Sequence, residues 1–435
     1  MEKIISFSKR KGFIFPSSEI YGGFGSGYDY GPLGIELKNN IKKAWWEEMT
    51  RAKDNIFGLD AAILMPEKIW EASGHLTSGF ADLLVECKEC HKRFKGDDVG
   101  SKCPECGGKL TKPKKFNLMM KTFAGAVEKE ASPIYLRAET TQGIYVNFKN
   151  VLNSMRAKIP FGIAQTGKAF RNEINPKNFI YRTREFEQME MEWFCHPKEA
   201  EKFFDFWKEE RLNWYYNLGI KKENIRVKKI PKSDLPHYAK QGADIEYRFP
   251  FGWGELEALH NRGDWDLSTH SKNSGEDLSY LDPDKKEKYI PFVVETSGGV
   301  DRSVLAFLTE GFLEVKGGRT KTTKSTKEVE TLMQFNKALS PVKVAILPLL
   351  RNKRELVLKA KEIYITLKSN FKCQYDETGS IGRRYRRQDE IGTLFCITVD
   401  FESLEKGDVT VRDRNTMEQE RIKIKDLENY FKERI

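Results

Sequence analysis

The chain has 435 residues, 32% of them charged, with 74 Lys+Arg against 64 Asp+Glu and a net charge of +10 at pH 7. That length predicts two or three domains with ample chain for a large core, and no apolar run approaches the ~20 residues that cross a membrane. The basic balance suits a polyanion such as RNA, and equally a solvated basic surface; net charge does not separate the two.

The opening stretch, MEKIISFSKRKGFIFPSSE, holds neither a long apolar core nor a small-residue cleavage site, so no signal peptide is predicted. After a short helix, Gly22, Gly23, Gly25 and Gly27 are interleaved with Tyr21, Phe24, Tyr28 and Tyr30. Without GxGxxG spacing or a Walker lysine, this reads as a backbone turn rather than a phosphate cradle. Pro32 then opens an amphipathic helix, GPLGIELKNNIKKAWWEEMTRAKDN, whose apolar side carries Ile35, Leu37, Ile41, Ala44, Trp45 and Met49. Periodicity leaves open whether that side faces a monomer's core or a second copy of the chain.

Cys87-x-x-Cys90 and Cys103-x-x-Cys106 flank a short lysine-rich segment. Two such turns supply four thiolates and complete a tetrahedron with no open position, so a structural zinc site of the ribbon type is predicted. An insert this small and polar lacks a core of its own, and the metal would supply on the order of 10 kcal/mol of its folding free energy. His91 reads as solvent-facing, and Arg93 and Lys95 as either phosphate-reaching or a solvated basic tip. Cys195, Cys373 and Cys396 sit among apolar neighbours as inert core thiols, and the whole usage fits a reducing cytosol.

Further on, YLRAETTQGIYVNF places Glu139 just before a helix, where a carboxylate is ordinarily a cap or dipole partner. The stretch AFRNEINPKNFIYRTREFEQMEMEWF reads as two strands joined at Asn-Pro-Lys-Asn. Alternation puts Arg171 and Glu173 on one face of the first strand. It puts Arg182, Arg184, Phe186, Gln188 and Glu190 on one face of the second. Arginines, an aromatic ring and a carboxylate in a row suit phosphate, a flat base and an ammonium group.

Residues 197–240 read as amphipathic helix followed by a basic strand. DIEYRFPFGWGELEALHNRGDWDLSTH then alternates so that Trp253, Glu255 and Glu257 share a face, with Glu257 a sheet-face residue in preference to a second metal ligand. FVVETSGGVDRSVLAFLTEGFLEV reads as strand, Gly-Gly turn and helix. Glu295 and Ser297 share a face, and Arg302 lies in the first helical turn, beside an N-terminus that favours anions. Residues 315–340 read as a linker or hairpin. From Pro341, strands alternate with helices, the pattern of a small α/β domain with a mixed sheet. Arg383, Arg384, Arg386 and Arg387 could hold phosphates there, and Asp400, Glu402, Arg412 and Arg414 could read bases; the alternative is a solvated basic face.

Phe170-Arg171-Asn172-Glu173, a loop and Arg182-x-x-x-Phe186 resemble motif 2 of class II aminoacyl-tRNA synthetases. With SGHLTSGFAD and AETTQG, the wording RNEINPKNFIYRTREFEQMEMEWF is similar to that of the dimeric, class IIa glycyl-tRNA synthetases. The Pro32 helix resembles motif 1 and ETSGGVDRSVL resembles motif 3, so the resemblance runs from that helix to the C-terminus. Ala138 stands where the family usually has proline.

The resemblance implies an α/β fold: an α+β catalytic domain on an antiparallel sheet, a zinc-ribbon insert and a C-terminal α/β anticodon-binding domain. The implied divisions are 1–86, 87–115, 116–314, a linker at 315–340, and 341–435. The implied activity is glycine–tRNA ligation: glycine and ATP give glycyl-adenylate, then glycine passes to the 3′ end of tRNA(Gly). The implied ligands are ATP, Mg2+ and a structural Zn2+, in a cytoplasmic homodimer engaging neither DNA nor membrane.

By the same resemblance, Arg171 and Arg302 are catalytic. ATP falls to Arg171, Asn172, Glu173, Tyr181, Arg182, Thr183, Arg184, Glu185, Phe186, Glu255, Leu256, Gly299, Val300, Asp301 and Arg302. Glycine falls to Glu139, Phe186, Glu187, Gln188, Met189, Glu190, Arg262, Glu295, Thr296, Ser297, Gly298 and Gly299. His75 is given a structural or substrate-shaping role. The rival readings are another class IIa synthetase, for serine, threonine or proline, and an RNA-binding paralogue. The latter would be expected to lack Arg171, Glu173 or Arg302.

Overall fold

The computed structural model describes residues 1–77, 80–126, 132–317, 319 and 329–435. Its centre is a seven-stranded sheet. In chain order the strands are β1 (Ile56–Gly58), β2 (Phe161–Phe170), β3 (Glu185–Cys195), β4 (Ile225–Lys229), β5 (Gln241–Phe249), β6 (Gly252–Gly263) and β7 (Phe292–Gly299). Their spatial order is β4-β5-β6-β7-β3-β2-β1. Every neighbouring pair is antiparallel except β1 with β2.

Period-two alternation gives this sheet two different faces. One carries Met189, Met191 and Trp193 of β3, Leu259 of β6 and Val294 of β7 into the main core. Three helices cover that face: α1 (Pro32–Thr50), α2 (Ala200–Asn217) and α3 (Val300–Gly311). On α1, Leu37, Ile41, Trp45 and Met49 are buried as periodicity predicts, but Ile35 is exposed and Lys38 is buried instead. The other face is packed at one end by Tyr145, Phe148 and Leu267 against Phe161 and Phe194. Towards its other end it is open, and polar side chains line it.

The four-cysteine segment hangs from a separate three-stranded sheet formed by Ala81–Glu86, Arg93–Lys95 and Lys114–Asn117. Of the two readings of 315–340, linker or hairpin, the described residues show a pairing of Phe312–Lys316 with Val329–Met333; residues 318 and 320–328 lie outside the described residues.

The C-terminal part is a five-stranded mixed sheet of β8 (Val344–Pro348), β9 (Cys373–Tyr375), β10 (Phe395–Val399), β11 (Asp408–Asp413) and β12 (Gln419–Lys423), ordered β9-β8-β10-β11-β12. It has its own apolar core with helix α4 (Arg354–Leu367), separate from that of the large sheet. Helix α5 (Ile381–Ile391) carries the basic run. The chain is thus the α/β molecule expected, with an antiparallel-dominated sheet and a second α/β unit. Among the described residues no helix is long and apolar enough to cross a membrane.

Candidate active site

The open face of the large sheet floors a cavity of about 390 Å³. Its walls come from β3, β6 and β7, from the segment between β2 and β3, and from the start of α3. One part of the cavity is basic and aromatic, the other acidic.

The basic part lies where the β3–β7 ladder ends, at the pair Gln188 and Gly299. Arg171, Arg182, Arg302, Tyr181 and Phe186 line it. Arg171 lies between two rings, 5.3 Å from the Phe186 centroid and 5.4 Å from that of Phe80, and its Nε donates to the Ala138 carbonyl at 3.1 Å. Arg302 stacks on Tyr181 at 4.5 Å and pairs with Glu255 at 2.8 Å. Gly254 makes room for that ring: a Cβ there would lie 2.8 Å from the Tyr181 hydroxyl.

The acidic part is built on the middle of β3 and β7, where cross-strand pairing sets Glu190 opposite Ser297 and Glu192 opposite Glu295. Glu190 is buried and accepts from Ser297 Oγ at 2.7 Å, Gln188 Nε2 at 3.0 Å and Thr140 Oγ1. Burial first, and then the charges of Glu295 and Glu139, push Glu190 up to about 7. Burial also opposes ionisation of Glu295, but Arg262 and His260 hold it below the usual carboxylate range. Arg262 Nη1 donates to both Glu295 oxygens at 3.1 and 3.2 Å, while its other edge forks onto Asp266 at 2.7 and 2.9 Å.

Glu139 completes the acidic part, its oxygens 3.3 Å from His75 Nε2 and 2.9 Å from Gln142 Nε2. Burial resists its ionisation, and His75 and Arg262 outweigh that and hold it low. Two of three carboxylates are therefore held ionised by partners of their own. The third is raised by burial and then by their charges.

Two domain models match this chain. A tRNA synthetase class II core domain (G, H, P, S and T) matches residues 126–312, and an anticodon binding domain matches residues 343–434. Across all of its length the chain is 51% identical to a glycine–tRNA ligase of Borreliella afzelii, over 97% of that protein. It is 52% identical to one from Treponema denticola over 97% of this chain and 94% of the relative, and 48% identical to one from Thermobifida fusca over 100% and 98%. The chain belongs to the glycine–tRNA ligase family.

In this member of the glycine–tRNA ligase family, most of the residues singled out from sequence converge on the cavity. Glu139, Arg171, Glu173, Tyr181, Arg182, Thr183, Phe186, Glu187, Gln188, Glu190, Glu255, Glu295, Ser297, Gly299, Asp301 and Arg302 line it. Arg262 stands directly behind Glu295 and stacks on Tyr238, a lining residue, at 3.9 Å. Asn172, Arg184, Glu185, Leu256, Val300, Met189, Thr296 and Gly298 are not among the lining groups. Met189 is in the helix-side core, and Arg184 turns towards the Gly25 carbonyl and the Phe24 ring.

Three alternation patterns differ from expectation. β2 stops at Phe170, so Arg171 and Glu173 lie in a turn in which the Glu173 N–H donates to the Arg171 carbonyl at 2.7 Å. β3 starts only at Glu185, because Asn178 and Phe179 take positive φ (63° and 61°) into a helical turn over Phe179–Tyr181. Arg182 and Arg184 therefore precede the strand: Arg182 still lines the cavity with Phe186, whereas Arg184 does not. On β6 a bulge pairs Glu255 with Glu246 and Glu257 with Ile245, leaving Leu256 as the extra residue. The bulge rephases the strand, so Glu255 faces the cavity while Glu257 faces α2. There Arg211 pairs with Glu257 at 2.7 Å and Tyr215 donates to it at 2.8 Å, a sheet-face role on the opposite face from the one predicted.

His260, Ala258, Asp244, Tyr238 and Ile230 line the cavity without having been singled out. His260 was legible once β6 is rephased, since it then shares the face of Ala258.

The four cysteines cluster as their spacing predicts. Their Sγ atoms all lie within 4.8 Å of one another, with Cys87–Cys106 at 3.5 Å and Cys90–Cys103 at 3.7 Å. A zinc tetrathiolate with 2.3 Å bonds has S–S edges of about 3.8 Å, so the donor set fits such an ion. Arg93, largely exposed, pairs with Glu86, and Lys95 pairs with Asp82, both partners on the strand that leads into the insert.

In the C-terminal unit three of the arginines read as RNA contacts prove internal, while Arg386 and Arg387 are half-buried. Arg384 is buried and donates to the Pro348 and Leu349 carbonyls, Arg412 forks onto Asp389 at 2.9 Å, and Arg414 donates to the Gly392 and Phe335 carbonyls. Asp400 caps the helix Phe401–Lys406. Of the eight residues read as RNA contacts, Arg383 and Glu402 are the exposed ones.

Proposed function

We propose that this chain activates glycine with ATP and esterifies it to the 3′ end of tRNA(Gly), using the cavity described above. The supporting observation is the division of that cavity into an arginine-and-ring part and an acid-lined part that share strands β3 and β7. Adenine would stack between Phe186 and Arg302, with Glu173 accepting from its amine. Arg171 would neutralise charge developing on the α-phosphate, and Arg182 and Arg302 would hold the terminal phosphates. The reaction needs positioned charge more than a protein base. Glu255, whose carboxylate is partly open to the cavity, would take a magnesium ion, which supplies further neutralisation of the triphosphate.

Glycine offers no side chain, so its selection falls to its ammonium and to exclusion at Cα. Glu190, Glu295 and Glu139 supply the acid around the ammonium. Ser297 and Gln188 fix the Glu190 carboxylate so that a methyl group would meet filled space. Zinc in the four-cysteine cluster would be structural, and the C-terminal unit would hold the anticodon arm. The divisions at 87, 116, 315 and 341 are the boundaries this reading uses. A homodimer is part of it, with Ile20, Tyr21 and Phe24, exposed at 89%, 87% and 62%, as apolar surface for a second copy to cover.

Charging of tRNA(Gly) transcript with radiolabelled glycine tests the proposal. Acid-precipitable, ATP-dependent counts are expected with tRNA(Gly) and not with tRNA(Ser), tRNA(Thr) or tRNA(Pro); their absence with tRNA(Gly) would overturn it.

A further inference from the structure

Glu187 and Asp301 line the cavity, yet their carboxylates are spent elsewhere. Lys38, near the start of α1, lies 3.0 Å from Glu187 Oε2 and 3.2 Å from Asp301 Oδ1, with its side chain only 5% exposed. Asp301 Oδ2 accepts from the Glu187 N–H at 2.7 Å, and Asp301 Oδ1 also accepts from the Tyr30 hydroxyl. Lys42 takes the remaining Glu187 oxygen at 2.8 Å.

The position of this knot matters. The β3–β7 ladder ends at Gln188 and Gly299, so no backbone rung fixes Phe186 relative to Arg302. The next tie across the gap is the bond from the Glu187 N–H to the Asp301 side chain. Each partner adjoins one of those groups in sequence: Glu187 follows Phe186, and Asp301 precedes Arg302. Two carboxylates brought together in a buried place repel unless a cation lies between them.

We infer that Lys38 is a positioning residue for ATP: from the first long helix it clamps Glu187 to Asp301 and so sets the gap between Phe186 and Arg302. The inference rests on the functional reading above for the identity of the ligand, and it touches neither glycine's carboxylates nor the reacting atoms. It also gives α1 a direct line to the nucleotide end of the cavity, so whatever packs on α1 would be felt there.

The test measures binding of a non-hydrolysable ATP analogue by calorimetry, beside KM for ATP and for glycine, in wild type, Lys38→Met and Lys38→Met/Asp301→Asn. Lys38→Met is expected to weaken analogue binding and raise the ATP KM roughly tenfold, with the glycine KM unmoved. The double variant removes the like-charge repulsion while an Asn oxygen can still accept from the Glu187 N–H, so it is expected to recover part of the loss. Unchanged analogue binding in folded Lys38→Met would overturn the inference. So would an equal rise in both KM values without recovery in the double variant, the result of a merely structural lysine. Should Lys38→Met fail to fold, Tyr30→Phe and Lys42→Met loosen the same knot; a higher ATP KM in either supports the clamp, and unchanged values in both refute it. Wild-type protein that binds the analogue but shows no glycine-dependent exchange would fail the functional reading, and the calorimetric comparison would still decide the clamp.

Discussion

Replacing Glu190 by Gln isolates the acid-lined part of the cavity. The change keeps shape and leaves one oxygen to accept from Ser297 and Gln188, with the new amide towards Thr140, but it removes the charge of the one carboxylate among Glu139, Glu190 and Glu295 that no basic partner neutralises. A hydrogen bond to a charged group is worth about 1.5–3 kcal/mol. At ~1.4 kcal/mol per decade, kcat/KM for glycine should fall by about 10- to 100-fold. The KM for ATP should hold, because the arginines and rings of the nucleotide part are untouched.

The same residue sets a pH dependence. Its proton is held up to about 7 in the empty site, so below that pH glycine's ammonium meets a neutral acid. Binding then requires the proton to leave. The glycine KM of the wild type should therefore drop as pH rises through about 7, and Glu190→Gln should flatten that drop. Steady-state pyrophosphate exchange at saturating ATP reads both effects. Glycine-dependent kinetics equal to wild type across the pH range would refute the assignment of Glu190 to the ammonium.

Arg262→Leu should lower stability by about 3–5 kcal/mol, because Asp266 would be left buried and unpaired and Glu295 would keep only His260; chemical denaturation measures it, and a loss of activity without loss of stability would contradict the account. In the C-terminal unit, Arg384→Leu should destabilise the protein while Arg383→Ala leaves the melting temperature alone and weakens tRNA binding with a shallower salt dependence; the opposite pairing would contradict the burial of Arg384. Chelation, or Cys103→Ser, should release a stoichiometric metal and make residues 87–115 the first site of proteolysis, as metal analysis and limited digestion would show.

Much of the site was legible in the sequence because its side chains come from strands where alternation holds. Gln188 with Glu190 and Glu295 with Ser297 needed only period two and the right starting point. Where alternation is interrupted, sequence reasoning lost the face. The β6 bulge at Leu256 moved Glu257 to the helix side, and ahead of β3 Arg184 turns away from the cavity while Arg182 keeps to it. The bulge carries no glycine or proline at Leu256, so nothing in composition announces it, whereas Asn-Pro-Lys-Asn announces the turn but not how far it runs.

Burial of charge was the other blind spot. Lys38, Arg384, Arg412 and Arg414 look like solvated or RNA-facing cations in a basic chain, and only three-dimensional partners show that carbonyls and carboxylates consume them. The zinc-type cluster was the easiest to read, since four thiols at that spacing have few other geometries open to them.

The most direct test of the central claim is amino-acid-dependent ATP–pyrophosphate exchange, run with glycine, alanine, serine, threonine and proline in parallel on metal-loaded protein. The account predicts exchange with glycine alone, since carboxylates crowded around the ammonium should admit glycine and exclude a methyl. Exchange with alanine or serine at a comparable rate, or with none of the five, would contradict it.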